Sequence, residues 1–381
     1  MSGDAVFVEL IGRTDIGLVR GDNQDSHIIG MLDDGERIES ETPRSLAVIG
    51  RGPMLVVCDG MGGAAGGAVA SKLAAKVIFG EMRAAQATED RLVFARHLRR
   101  AVRLANRRVF EKGRDTPELR GMGTTVSAAG LVGNAVLLAQ VGDSRAYIHR
   151  GSTLTQVTRD QSVSSALVHA GKLTPDEASK AMHSHMILQA LGVEVDVEVS
   201  ISIVEIRRGD TLLLCSDGLH GPVGDDRLRA TMSACPDLDE AIETLIRLAH
   251  RAGAPDNITA VVARFGGEGL APAMSEDDLP RFVEVNPLEE GERALATTSW
   301  VARRLAAKAG IGEDPGPAPI PATGQHPVYR GDALDPVDPA ASYRGPAMIR
   351  LAERSRSGLV AWALAVVAVV AVGAFLLWDS L

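Results

Sequence analysis

Four aspartates carry the chemical content of this 381-residue chain. Asp59, Asp143, Asp217 and Asp256 each stand where an apolar, strand-like run ends or begins, in MLVVCDGMGG, LLAQVGDSRAY, TLLLCSDGLHG and PDNITAVVARF. Strands disfavour Asp, and a turn is served as well by Gly or Asn, so folding alone does not ask for a carboxylate at these places. Carboxylates lifted from separate strand ends to a common edge build an all-oxygen site for hard divalent cations. Taken singly, each aspartate also reads as a turn former. Cys58 and Cys215 adjoin two of them. Soft thiolates suit hard cations badly, so both cysteines read as buried strand residues, with redox sensing as the alternative.

The elements that must position these carboxylates are legible. Runs 124–132 and 135–141 flank Gly133-Asn134, and runs 146–150 and 153–157 flank Gly151-Ser152. Two-residue connections containing Gly mark antiparallel hairpins. Ala/Leu/Arg-rich helical patterns occupy 68–82 and 89–112, and 237–251 repeats the pattern from an acidic start to a stop at Gly253. Val69, Leu73, Val77 and Ile78, at helical spacing, are core positions. Antiparallel strands alternating with helix pairs predict an α+β layered domain rather than a parallel doubly wound one.

Composition excludes several classes. Hydrophobic residues at 45% supply a core, while aromatics at 3% leave no stacking platform for single-stranded nucleic acid. A net charge of −9 argues against a phosphate-backbone partner, so no nucleic acid is expected. Three cysteines without paired spacing (Cys58, Cys215, Cys235) fit a reducing compartment, and the start MSGDAVFVEL has no secretory signal character.

Residues 358–378, GLVAWALAVVAVVAVGAFLLW, are 21 residues without a charge. At about 1.5 Å per residue they would span roughly 30 Å, a bilayer core, and a transmembrane helix is expected over 357–378. Arg350, Arg354 and Arg356 precede it, and Asp379, Ser380 and Leu381 form a short tail at 379–381. The positive-inside rule then places the N-terminal bulk in the cytoplasm, giving a single-pass protein of a cytoplasm-facing membrane. Trp362 and Trp378 lie near the two ends of the span, as interfacial aromatics do. Eight of the 18 prolines fall between Pro315 and Pro346, so 311–356 reads as a Pro/Gly-rich linker. Between domain and linker, 267–310 reads as an acidic, helical extension on the spacing of Trp300, Val301 and Leu305, a peripheral helix or a docking helix for a partner. One large folded domain is expected to fill residues 1–266.

Six motifs occur in order: TDIGLVRGDNQD (14–25), VVCDGMGGAAGG (56–67), MGTT (122–125), VGDSRAY (141–147), CSDGLHG (215–221) and PDNIT (255–259). Together they resemble the metal-dependent (PPM, type 2C) serine/threonine protein phosphatases in their bacterial form. The resemblance implies an α-β-β-α sandwich, two antiparallel-rich sheets flanked by helices, with metals in a cleft at one end. It implies that Asp59, Asp217 and Asp256 hold two Mn2+ or Mg2+ ions, helped by the Gly60 carbonyl, with a third, weaker metal at Asp143. Arg20 matches the phosphate-holding arginine, whose fork meets two phosphate oxygens at once. Asp25 and Gln24 would stand behind the metals, Asp25 hydrogen-bonding metal-bound water. The implied reaction is direct attack by a hydroxide activated between two metals, with no phosphoenzyme. The absence of a CxxxxxR loop fits that route.

The chain departs from the family in two places. Gln24 stands where many relatives carry Glu, and Met61 where eukaryotic members place a histidine proposed as general acid. His220 is the nearest histidine to Asp217 in sequence and reads first as a solvated loop residue, second as an acid. His183 and His185 lie in 161–189, which matches the family's variable flap. The expected function is a membrane-anchored phosphoserine/phosphothreonine phosphatase opposing serine/threonine kinases and acting on phosphorylated proteins. The alternative is a pseudophosphatase that binds phosphoproteins as a scaffold at the membrane.

Overall fold

The structure is a computed structural model that describes residues 5–38, 42–48, 50–174, 177, 186–274 and 278–287. The chain divides into two units, Met1–Arg293 and Ala294–Leu381, and every described residue belongs to the first. Its strands are β1 (Val6–Asp15), β2 (Ser26–Met31), β3 (Arg44–Val48), β4 (Pro53–Cys58), β5 (Gly60–Met61), β6 (Gly123–Thr124), β7 (Val126–Val132), β8 (Ala135–Val141), β9 (Arg145–Arg150), β10 (Thr153–Gln156), β11 (Ser200–Glu205), β12 (Thr211–Cys215), β13 (Ile258–Gly266) and β14 (Phe282–Val285). The α-helices are α1 (Gly63–Ala84), α2 (Arg91–Asp115), α3 (Val163–His169), α4 (Asp217–Val223), α5 (Asp225–Ala234) and α6 (Leu238–Arg251).

Two six-stranded sheets form, ordered β10-β9-β12-β13-β1-β3 and β14-β11-β8-β7-β4-β2. Every ladder in them is antiparallel, as the hairpin turns require. Gly133 and Gly151 hold φ of 58° and 59° at those turns, a conformation that costs glycine nothing. Three separate apolar cores stack the layers. One fills the space between the second sheet and α1 and α2, with Ile78, Leu98 and Val126. A second lies between the sheets, with Leu10, Leu138 and Phe265. The third joins the first sheet to α4, α5 and α6, with Leu213, Leu228 and Leu245. Helix, sheet, sheet, helix is therefore the layer order, and a sheet buried on both faces explains the unbroken apolar runs of β4, β7, β8 and β12.

Helix starts follow their capping chemistry. The Asp90 side chain accepts from the Leu92 and Val93 amides at the start of α2, and Asp237 from Glu240 at α6.

The expected boundary at 266 is passed. Residues 282–285 add β14 to the free edge of β11, and Asp278 bonds Arg150 and Arg207. This described part of the 267–310 extension is a strand because Phe282 packs against the inter-sheet core and the backbone finds an open ladder. The helical spacing around Trp300, Val301 and Leu305, the linker and the span at 357–378 lie outside the described residues. Among the described residues no helix is long and apolar enough to cross a membrane.

Candidate active site

The register brings the four aspartates to one end of the sandwich. In the first sheet Cys215 faces Arg145 on one side and Ala260 on the other. The residues just beyond these rungs, Asp217 at the start of α4, Asp143 before β9 and Asp256 before β13, therefore share that edge. In the second sheet β4 ends at Cys58, so Asp59 leaves at the edge where β7 begins and β8 ends. Asp143 sits where the chain crosses from β8 to β9, between the sheets. A cleft of about 440 Å³ opens there, lined by Arg20, Asp22, Gln24, Asp59, Gly60, Met61, Thr125, Asp143, Ile187, Asp217, Asp256 and Asn257.

Hydrogen bonds and close packing fix the chain around the site. Asp59 donates its amide to Thr125 Oγ1 at 3.0 Å and accepts at its carbonyl from the Thr125 amide and the Thr124 hydroxyl, both at 2.8 Å. Gly60 is squeezed between two backbones, since a Cβ there would stand 2.3 Å from the Gly67 carbonyl and 2.4 Å from that of Gln24. Gln24 donates to the Gly63 carbonyl at the start of α1, which locks the 14–25 segment against that helix. Asp25 lies behind the cleft, buried, and accepts from the Ser216 hydroxyl at 2.8 Å. Arg20 is half exposed and donates to Asp256 at 2.6 Å.

Negative charge is crowded here. Burial, then Asp25, Asp217 and Asp143, push the Asp59 carboxyl well above the ordinary carboxylate range. Burial, with Asp217 and Asp256 nearby, lifts Asp25 to about 6 against the pull of the Thr259 and Ser216 hydroxyls. Burial and the carboxylates of Asp217 and Asp160 lift Asp143 to about 7. Arg20 supplies a cation at the rim, its own affinity for the proton raised by Asp256. Mutual repulsion of this kind is what a bound cation relieves.

The donors are oxygens only, as Mg2+ and Mn2+ prefer. Among the described residues no three acidic, imidazole or thiol side chains are drawn into a finished cage. Asp256 is turned onto Arg20 and the Asn257 amide. The arrangement fits hydrated cations that take a few carboxylates and keep several waters.

Several residues have roles that the sequence did not disclose. Asn257 is the pin of the site. Its Nδ2 donates to the carbonyls of Ile16 at 2.9 Å and Asp22 at 3.0 Å, and its Oδ1 accepts from the Gln24 amide at 2.8 Å. The loop carrying Arg20 is thus clipped to the segment carrying Asp256. Partners more than 230 residues away leave no local signal. Beneath Asp143, the buried Gln161 accepts from the Gly142 amide and from Gln189, and Gln140 donates to the Ser144 carbonyl.

His220 is not a solvated loop residue. It lies buried in α4 with Nε2 at 3.0 Å from the Asp143 carbonyl, a strut rather than an exposed acid. Burial holds Cys58 and Cys215 protonated, raising both thiols above their usual value. His183 and His185 lie outside the described residues. A larger cavity of about 900 Å³ between β1, β2 and α6 contains Arg13 and Asp15, but those charges pair with Asp239, Glu243 and His250, so it is not an assembled reaction site.

Residues 45–262 match the family model described as Protein phosphatase 2C. The chain is 37% identical over 263 residues to the serine/threonine protein phosphatase PstP of Mycobacterium tuberculosis, an alignment covering 69% of this chain and 46% of that one. It therefore spans less than half the length of that relative. It is 32% identical over 250 residues to the serine/threonine phosphatase stp of Listeria welshimeri, covering 66% of this chain and 93% of the relative. A crystal structure of the PstP catalytic domain in complex with two manganese ions superimposes with a TM-score of 0.56 at 35% identity, covering 68% of this chain and 99% of that one.

Proposed function

The chain belongs to the protein phosphatase 2C family, and from that premise we propose that it is a metal-dependent phosphoserine/phosphothreonine protein phosphatase. The observation that carries this reading is the delivery of Asp59, Asp143, Asp217 and Asp256 from separate elements into one cleft that Arg20 overlooks. Asp59, Asp217 and Asp256, with the Gly60 carbonyl, would hold two Mn2+ or Mg2+ ions, the number carried by the PstP relative, and Asp143 a third, weaker one. When bound, such ions polarise phosphoryl oxygens and acidify a coordinated water.

The protein's own residues supply the rest. Arg20 exchanges its bond to Asp256 for the phosphate, gripping two oxygens with one fork. Asp25, held by Ser216, presents a carboxylate from behind the cleft that orients water, and Gln24 fixes the loop. His220 is committed to the Asp143 carbonyl, and Met61 cannot donate a proton, so the leaving oxygen takes its proton from water.

The uncharged run at 357–378 supports a single-pass anchor in the inner membrane with the catalytic domain in the cytoplasm, where phosphoproteins and serine/threonine kinases would be its partners. The test is phosphate release from a phosphothreonine peptide by the full chain in detergent. It should require Mn2+, cease with EDTA, and fall at least a thousandfold in Asp217→Asn. Folded, metal-loaded protein without turnover would refute the reading and leave the scaffold alternative. Deleting 357–381 should move the protein from the membrane fraction to the soluble one.

A further inference from the structure

Among the described residues, six of the eleven exposed large apolar side chains lie on two segments, 16–19 and 186–195. The first carries the loop to Arg20. The second contributes Ile187 to the cleft lining. Resting on the phosphatase reading, we infer that these two rims select phosphoserine or phosphothreonine residues flanked by apolar side chains.

On the first rim Leu18 and Val19 are 62% and 69% exposed, yet the loop is held. The Leu18 amide donates to the Ala254 carbonyl at 3.0 Å, and Asn257 holds the Ile16 carbonyl. Gly17, at φ 77°, packs so closely that a Cβ would stand 2.3 Å from the Asp256 carbonyl. The apolar pair is therefore presented on a fixed backbone, which lowers the cost of ordering it around a ligand.

The second rim is built in the same way. Asn106 of α2 donates to the carbonyls of Glu194 and Val195 and accepts from the Gly192 amide. This fixes Val193 beside Gly123, where a Cβ would meet Val193 at 3.0 Å and Met61 at 3.4 Å. Val193 and Met61 thus both stand close to Gly123, and Met61, like Ile187, lines the cleft.

A phosphate held by Arg20 places the substrate's neighbouring residues about 3.5 Å and about 7 Å along the chain on either side. Those neighbours must pass over the rims. The cleft lining between them is polar, with five aspartates that the cations would neutralise and one arginine that takes the phosphate, so the apolar contacts open to the flanking residues are those of the rims.

The experiment uses the full chain in detergent with Mn2+. It compares two phosphothreonine peptides that differ only in having Leu or Ser on each side of the phosphoresidue, with p-nitrophenyl phosphate as a substrate lacking flanks. We expect kcat/KM to favour the Leu-flanked peptide about tenfold. Leu18→Ser with Val19→Ser, and separately Val193→Ser, should each erode that preference at least threefold while p-nitrophenyl phosphate turnover is unchanged. Equal turnover of both peptides by the wild type, or a preference that survives both variants, overturns the inference. A surviving preference with weakened binding to phosphatidylglycerol vesicles would overturn it in favour of a lipid contact. Absence of p-nitrophenyl phosphate turnover in the wild type would instead overturn the phosphatase reading beneath it.

Discussion

Replacing Asp25 by Asn should stabilise the metal-free protein at neutral pH. The carboxyl is buried beside Asp217 and Asp256, and its affinity for the proton rises from 3.8 to about 6. At 1.36 kcal/mol per pH unit this corresponds to about 3 kcal/mol of strain when the group is ionised and no cation is present. Because the folded-state value lies above the unfolded one, the group's contribution to stability is complete below about pH 4. It is lost as pH rises through about 6.

Asn removes the charge and keeps an oxygen for the Ser216 hydroxyl. In EDTA at pH 7.5 the variant should therefore be more stable by about 3 kcal/mol, or roughly 5 to 10 °C in Tm for a domain of this size. The gap should close near pH 4. Adding Mn2+ should reverse the order, because the wild type gains more from the cation than the variant does. Denaturant and thermal melts at the two pH values, with and without metal, decide it. A variant no more stable than wild type in EDTA at pH 7.5, or a gap independent of pH, would refute the account of crowded carboxylates.

Asn257→Ala should cost about 3 kcal/mol in denaturant melts, the sum of three lost hydrogen bonds at about 1 kcal/mol each. It should also raise KM for p-nitrophenyl phosphate at least tenfold at saturating Mn2+, as the loop bearing Arg20 loosens. Gly60→Ala drives a methyl into the Gly67 and Gln24 carbonyls, so calorimetric titration should find Mn2+ binding weakened at least a hundredfold. A chain ending at Gly266 should be about 2 to 4 kcal/mol less stable than one ending at Pro287, by denaturant midpoint. It lacks β14, and Asp278 no longer faces Arg150 and Arg207.

Much of this architecture is written locally. Gly133-Asn134 and Gly151-Ser152 declare their hairpins because a two-residue turn needs backbone conformations that glycine adopts freely. The long helices α1, α2 and α6 repeat apolar residues over many turns, so only their ends shift by a few residues from the sequence reading. Asp59, Asp143, Asp217 and Asp256 stand out because a charge at the end of an apolar strand is locally anomalous. Short elements are another matter. Helix α4 begins at Asp217 itself and contains Gly218, Gly221 and Pro222, which no periodicity would mark as helical. Asn257 and Asn106 act on backbones far away in sequence, and their function exists only after the sheets have formed. Strand β14 borrows its conformation from the open edge of β11, so its few residues read as an acidic appendage until the partner is in place.

The register of that last strand fixes where the rest of the chain departs. Val285 lies opposite Ile201, and Ser200 opposite Gln140, so β14 runs toward the end of the sandwich at which Asp143 leaves β8. Two strand spacings, about 10 Å, separate β14 from β8 at that level. The C-terminal end of β14 therefore lies at the end of the sandwich that carries the cleft rather than at the opposite end. A segment fused after Pro287 would meet the aspartates at an effective concentration set by the number of residues between them, which makes linker length a means of tuning that encounter.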